Sequence, residues 1–292
     1  MPRSLTLLVG AALLLAARPA QAQTTLRYQF KAGDKIPYTM EQKASIKTDV
    51  AGKQSNLQIQ LTVDWTWHVT AVGNDGKAEV TYKVDRMRSV TDDGGGHKMS
   101  VDSDDDKTMT TPQDKAALKV MKDKGITMNV DPLGRVDNVQ FPPELLEQFR
   151  QNKDVPVDEL VRQLFMPVAL VLPKEAVNKG QGWHAKPFEG NVGVGRLTIQ
   201  TAFTDQGLMQ QGGKTLEQIA VKPTLSVEKA DAKQGEKVES QGEGTILFDN
   251  GAGRIVATSL TLNAATSLDA GNGMTVKMTT RETRTLTIRP AK

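Results

Sequence analysis

The chain has 292 residues, with 37 Lys and Arg, 34 Asp and Glu and three His, giving a formal net charge of +3. Arg3 and Arg18 lie in an amino-terminal leader, so the remainder carries 35 basic against 34 acidic residues, a net charge of +1, which makes no electrostatic case for nucleic acid or an anionic membrane surface. Cysteine is absent, which excludes disulfides, thiolate metal sites, a cysteine nucleophile and the lipidated Cys that follows a lipoprotein signal.

In the leader, Arg3 precedes an apolar run from Leu5 to Ala17 and the stretch closes on Ala20-Gln21-Ala22. This reads as a secretory signal peptide over residues 1–22, predicting a chain that begins at Gln23 and works in the periplasm or outside the cell. The run is shorter than the roughly 20 apolar residues of a membrane helix, and no integral membrane segment is expected after it. The rest is long enough to bury roughly 75% of its unfolded surface. Its 38% hydrophobic and 4% aromatic content is lean for one thick core and predicts a broad sheet wetted on one face.

Alternation with period two dominates the chain after the leader. Leu26, Tyr28 and Phe30 alternate, as do Tyr38, Met40, Ala44, Ile46 and Val50. From Leu57 through Ile59, Leu61, Val63, Trp65, Trp67, Val69 and Ala71 every odd position is apolar and the even ones are polar, which predicts one long amphipathic strand. Asn74-Asp75-Gly76-Lys77 suits a tight hairpin, after which Ala78, Val80, Tyr82 and Val84 resume the alternation.

Helical spacing interrupts the strands in the middle of the chain. Phe141-Pro142-Pro143-Glu144 leads into Leu145, Leu146 and Phe149, and a second segment from Val157 carries Leu160, Val161, Leu164 and Phe165 before Pro167 stops it. A weaker pattern runs from Thr111-Pro112 to Gly125 with Ala117, Leu118 and Met121 on one side. After Trp183 strands return: Leu197, Ile199 and Phe203, then Leu216 to Val227, Gly244 to Asp249, and Arg254 onward.

Two stretches are alike. Residues 126–136, with Asp131-Pro132-Leu133-Gly134-Arg135, read like residues 245–255, with Asp249-Asn250-Gly251-Ala252-Gly253-Arg254, and Lys31-Ala32-Gly33-Asp34 resembles Asn178-Lys179-Gly180-Gln181. Tandem half-domains over 23–177 (with central helices at about 142–167) and 178–292 would explain this, the first carrying extra residues between Asp92 and Gly125. Convergent turn chemistry would explain it equally well.

The stretch Tyr28-Gln29-Phe30-Lys31-Ala32-Gly33-Asp34 with Tyr38-Thr39-Met40-Glu41-Gln42-Lys43, the turn Val130-Asp131-Pro132-Leu133-Gly134-Arg135-Val136, and Leu172-Pro173-Lys174-Glu175-Ala176-Val177 with Gly180 and Trp183 resemble an uncharacterised family of secreted bacterial proteins. The likeness covers most of the chain after the leader. That family is a domain of unknown function without assigned catalytic residues, so the resemblance implies an exported protein and no site.

Motifs for chemistry are scarce. His68 shares the polar face of its strand with Asp64, an arrangement that could orient a base, although a solvated strand face explains it as well; His97 and His184 are the other histidines. There is no Gly-x-Ser-x-Gly, His-Glu-x-x-His or phosphate-binding loop, and Gly190 to Gly195 flank no dinucleotide unit, so no catalytic residue, metal or cofactor is expected. A hydrolase built from facing carboxylates without a motif is the least favoured reading. Asp92, Asp93, Asp102, Asp104, Asp105 and Asp106 offer oxygen ligands for calcium but lack a loop of calcium-binding spacing, and read as a solvated hairpin.

The expected fold is α+β: long antiparallel strands in a curved sheet or open barrel, with two central amphipathic helices packed on it. The expected function is that of a noncatalytic envelope protein holding a hydrophobic ligand, a lipid or acyl chain, in a groove between sheet and helices. Trp65, Trp67, Leu160, Leu164 and Phe165 would line it, with Met40, Ile59 and Leu61 nearby. The alternative is a structural or interaction module with a fully packed core and an envelope protein as partner.

Overall fold

The computed structural model describes residues 23–50, 53–108, 111–151, 170–192, 195–229, 237–269 and 275–288. The first half contributes β1 (Lys35–Val50), β2 (Lys53–Val72), β3 (Ala78–Asp92), β4 (Lys98–Asp102), α1 (Pro112–Asp123), β5 (Ile126–Val130), β6 (Val136–Gln140) and α2 (Pro143–Gln151). The second contributes β7 (Gly182–His184), β8 (Phe188–Val192), β9 (Gly195–Gln211), β10 (Lys214–Lys229), β11 (Lys237–Asp249), β12 (Arg254–Asp269) and β13 (Thr275–Ile288). All strands join one antiparallel sheet in the order β6-β5-β3-β2-β1-β13-β12-β11-β10-β9-β7, with β4 added to β3 and β8 to β9.

This is a mainly β fold rather than the expected α+β, and the sheet is not closed into a barrel. The described helices are short, 12 residues in α1 and nine in α2. Thr111 caps α1 by accepting the Asp114 N–H at 3.1 Å, Pro112 opens its first turn, and only Met121 is buried. Leu145 buries the first turn of α2. The second helix expected from Val157 to Pro167 lies outside the described residues.

The hairpins follow the turn chemistry. Between β2 and β3, Gly73 and Lys77 close the loop at 2.8 Å, and Asp75 Oδ1 accepts the Lys77 N–H at 3.1 Å. The Leu26, Tyr28 and Phe30 alternation does bury Leu26 and Tyr28, yet residues 25–34 form no ladder. Their amides serve a different purpose. The Tyr28 N–H donates to Pro132 O at 2.8 Å, in the turn after β5, and the Gln29 N–H donates to Gly253 O at 3.1 Å, in the turn before β12.

Those two bonds prove that the sheet curls. From β5 to β11 there are six strand steps, about 29 Å across a flat sheet, yet Tyr28 bonds to the turn after β5 while its ring meets Phe248 of β11 edge-on at 5.4 Å. Leu26, Tyr28, Trp65, Tyr82, Met128, Phe203, Ile219 and Phe248 accordingly belong to one buried cluster drawn from both halves. A second strap, residues 170–181, runs beside the first: Thr24 and Val177 exchange backbone bonds, Leu172 N–H donates to Leu133 O at 2.8 Å, and the Tyr28 hydroxyl donates to Leu170 O at 3.2 Å. Together the straps close one end of the curl.

The two similar turn pairs make the same bonds. Gly33 N–H donates to Val69 O, Val69 N–H to Asp34 O and Asp34 N–H to Lys31 O; in the second half Gly180 N–H donates to Asp205 O, Asp205 N–H to Gln181 O and Gln181 N–H to Asn178 O. The side chains of Asp131 and Asp249 each accept amides of their own turn, from Leu133 and Arg135 and from Ala252 respectively. The extra residues of the first half are β4 and α1.

Gly134 carries a steric demand as well as a conformational one. Its φ is +79°, and a Cβ there would run into Leu170 O and the Tyr28 ring. Gly180 has a similar φ of +86° but open space around it. Gly180→Ala is therefore expected to cost about 1–2 kcal/mol from the left-handed backbone alone, and Gly134→Ala about 2–5 kcal/mol once the overlap is added. Urea unfolding of both variants checks the difference, and equal losses would contradict the wedged strap.

Candidate functional site

Cross-strand partners share a face of a sheet, and the register places Tyr38 beside Trp65, Met40 beside Val63, Ala44 beside Ile59 and Ile46 beside Leu57. Near the straps this inner face is sealed. Trp65 is 2% exposed, stacks on Tyr38 at 5.5 Å between centroids and tilts against Tyr82 at 5.9 Å, while Trp67 meets Tyr38 edge-on at 5.4 Å. Burial holds the Tyr38 and Tyr82 phenols far above their ordinary values, so both stay neutral. The Trp65 and Trp67 indole N–H groups find no acceptor among the described residues.

Further along the same strands the cover thins and polar positions enter the face, with Gln42 of β1 and Ser89 of β3 on either side of Leu61 and Thr91 of β3 beside Ile59. Met40, Ala44 and Ile46 of β1, Leu57, Ile59 and Leu61 of β2, and Leu260 and Leu262 of β12 are only half-buried. Val63, the last buried residue of β2 before this region, marks the transition. On β4, Met99 lies opposite Thr91 and is 53% exposed. On the far side of the curl Ile199 is buried and its partner Leu225 half-buried.

The opposite face is polar and partly self-satisfied. Asp64 is buried there, accepts the Thr39 hydroxyl at 2.8 Å and pairs with Arg88 at 3.0 Å. The suggested His68–Asp64 couple is not assembled. Four residues along one strand separate their Cα atoms by about 13 Å, and the charges acting on His68 come from Lys83, Lys35 and Asp85. Partial burial, then those two lysines, lower the His68 value, which leaves the ring neutral at pH 7.

The acidic run is occupied by its own neighbours. Asp92 and Asp93 accept the turn amides of Gly94 and Gly95, and Asp102 binds Arg86. The Arg86 hydrogen bond, helped by the Asp104 amide, pulls the Asp102 carboxyl down to about 2. Asp104 reaches Lys122 of α1 at 2.6 Å, tying the hairpin to the helix. Among the described residues no group of three or more His, Asp or Glu is arranged to hold a metal.

Of the five groove residues expected from sequence, Trp65 and Trp67 sit together at the sealed end, and Leu160, Leu164 and Phe165 lie outside the described residues. The half-covered apolar stripe consists instead of Met40, Ala44, Ile46, Leu57, Ile59 and Leu61 on β1 and β2; Leu260 and Leu262 of β12 lie beyond β13, at the register positions of Arg284 and Glu282. Alternation named most of these as one face; only burial separates them from the sealed part.

No family model matches the chain, and no curated protein does. Among solved structures, one described as lipid-protein interactions in lipovitellin is similar over 90% of this chain and 26% of its own, at 13% identity and a TM-score of 0.50. The chain thus spans about a quarter of that lipovitellin chain, and the likeness is one of fold. An outer membrane channel from Pseudomonas putida F1 is aligned over 90% of this chain and 97% of its own at 9% identity, with a TM-score of 0.26 that carries no argument. Among the described residues no helix is long and apolar enough to cross a membrane.

The burial gradient predicts a contrast in stability. Trp65→Ala is expected to cost about 3–5 kcal/mol, as for a large side chain removed from a core, and Ile59→Ser about 1 kcal/mol, as for partial loss of half-buried area. Urea midpoints of the two variants measure it; a similar cost at both sites would mean that the inner face is equally packed throughout.

Proposed function

We propose that this protein is an exported, noncatalytic component of the cell envelope that holds a lipid or acyl chain against the half-covered inner face of its curled sheet. The observation that carries the reading is the gradient along β1 and β2. The strands pass from buried Tyr38 and Trp65 to half-buried Ile46 and Leu57 and keep Met40, Ala44, Ile59 and Leu61 on that face, with Gln42 the polar position of β1 among them. An apolar stripe left partly open, bordered by polar positions on β3 and β13, suits a bound hydrocarbon chain better than water. The fold-level similarity to lipovitellin supports the same chemistry, and the leader motif, together with the resemblance to secreted bacterial proteins, supports the address.

The second reading is an interaction module of the envelope. It is favoured by the β3–β4 hairpin, where exposed Met99 sits near Asp93, His97 and the salt-bridged Asp102–Asp104 turn. The matched turn bonds support a tandem repeat in either case, each half supplying a consecutive run of the sheet.

Native mass spectrometry of the protein purified from an envelope fraction tests the lipid reading. Excess mass that extracts as lipid is expected for the wild type. It should be lost in Ile59→Asp with the circular dichroism spectrum unchanged, because a carboxylate in a lipid-facing site is poorly tolerated. A bare polypeptide mass, with no lipid taken up from mixed micelles, would sink the reading and favour the module, whose partner crosslinking through the β3–β4 hairpin should then capture.

A further inference from the structure

The second half departs from the first at one buried place. Val69 on β2 and Ala78 on β3 are 2% and 0% exposed, hydrocarbon packed beneath the straps. The positions that make the corresponding bonds in the second half are Asp205 on β9, held by Gly180 and Gln181 as Val69 is held by Gly33 and Asp34, and Glu217 on β10, opposite Phe248 as Ala78 is opposite Val130. Each carboxylic residue is only 3% exposed. The fold at this point is built without charge once, so the carboxyls are not a requirement of the architecture.

Asp205 pairs with Ile219 across the β9–β10 ladder at a register shift, and Glu217, two residues before Ile219 on the same strand, lies within reach of the Asp205 charge. Asp205 Oδ1 accepts the Gly207 N–H at 2.7 Å, and Glu217 accepts a hydrogen bond from Thr24, the residue of the first strap that exchanges backbone bonds with Val177. The surrounding cations are engaged elsewhere or lie to the side. Lys214 binds Asp249 at 3.0 Å, Arg27 donates to the Leu26 and Pro173 carbonyls, and the Lys179 methylenes lie along Gly207. Among the described residues neither carboxylate makes an ion pair with Lys or Arg.

We propose that Asp205 and Glu217 share one proton and act as a latch for the amino-terminal strap, which is held over the closed end of the curl while the proton is present and loosens when it is lost. Two adjacent carboxylates removed from water cannot both ionise cheaply. With Glu217 protonated, the buried pair carries one charge instead of two, and Glu217 still accepts from Thr24. Desolvation first and the Asp205 charge second raise the Glu217 value; the Thr24 hydrogen bond favours the ionised form and is outweighed, so losing the proton favours lifting the strap to let water reach the carboxylate. A group raised in the folded state contributes stability that is full below its unfolded value and is lost as pH rises through its folded value, so the latch weakens toward neutral and alkaline pH. It stands independently of any lipid.

Hydrogen exchange mass spectrometry of the purified protein at pH 5 and pH 8, corrected for intrinsic exchange rates, reads the latch directly. Protection of residues 24–30 should fall about tenfold or more at the higher pH while peptides from β2 and β3 hold steady. In Glu217→Gln the fall should vanish. If that variant is not recovered folded, Asp205→Asn reads the same coupling and should also flatten the response. Wild-type protection that ignores pH, or a pH-dependent fall that survives in the variant, overturns the proposal.

Discussion

Everything in this molecule depends on residues 26–30 being gripped between two turns that the chain forms far apart. The Tyr28 amide is taken by the turn after β5 and the Gln29 amide by the turn before β12, so a strap one residue wide joins two regions of a sheet that would otherwise lie several strand widths apart. The Tyr28 ring then fills the gap, stacked near Phe30 and edge-on to Phe248. An open antiparallel sheet of long strands has no intrinsic reason to stop at one curvature. Here the strap sets it, and with it the presence of an inside.

That inside is graded. At the strapped end the aromatic residues of β1, β2 and β3 pack against one another and against residues from β9, β10 and β11. Toward the far ends of the same strands Ala44, Ile46, Leu57, Ile59 and Leu61 remain on the inner face but are only half-buried, with Gln42, Ser89 and Thr91 beside them. The outer face solves the opposite problem with polar residues, and the deeply buried carboxylate there, Asp64, is compensated by Thr39 and Arg88. A polar sheet exterior with a half-covered inner face is the arrangement on which the lipid reading rests, and His68 stands about 13 Å along its strand from Asp64.

The correspondence between the halves is most useful where it fails. The Gly-led turns, the Asp-led turns and the order of strands repeat, while β4, α1 and α2 appear in the first half and Asp205 and Glu217 of the second replace its Val69 and Ala78. The insertion costs little, because β5 covers only the first part of β3 and leaves the remainder free to take another strand. Two carboxyls in a position that elsewhere holds Val and Ala are costly unless protonated or hydrogen-bonded, and both kinds of relief are at hand between Asp205, Glu217 and Thr24.

Much of the secondary structure was legible from residues alone, because a strand wet on one face writes its period into the chain. The Leu57 to Ala71 alternation, the Asn74-Asp75-Gly76 hairpin and the Thr111-Pro112 start of α1 are all local signals that the structure obeys. The Leu26, Tyr28 and Phe30 alternation misled in part, since burial on one side looks the same in a strap as in a ladder. His68 and Asp64 misled because sharing a face is not the same as being close. The candidate surface was only half legible: alternation put Ile59 and Leu61 on one face with Trp65 and Trp67 but had no means of saying which of them would be covered. Sequence by itself determined which residues face which way, where the hairpins turn and that catalytic motifs are missing, because those depend on neighbours a few positions away. The curl, the sealed end and the buried meeting of Asp205 with Glu217 were decided only in three dimensions, because they rest on contacts between segments distant in the chain and on a register shift that no local pattern announces.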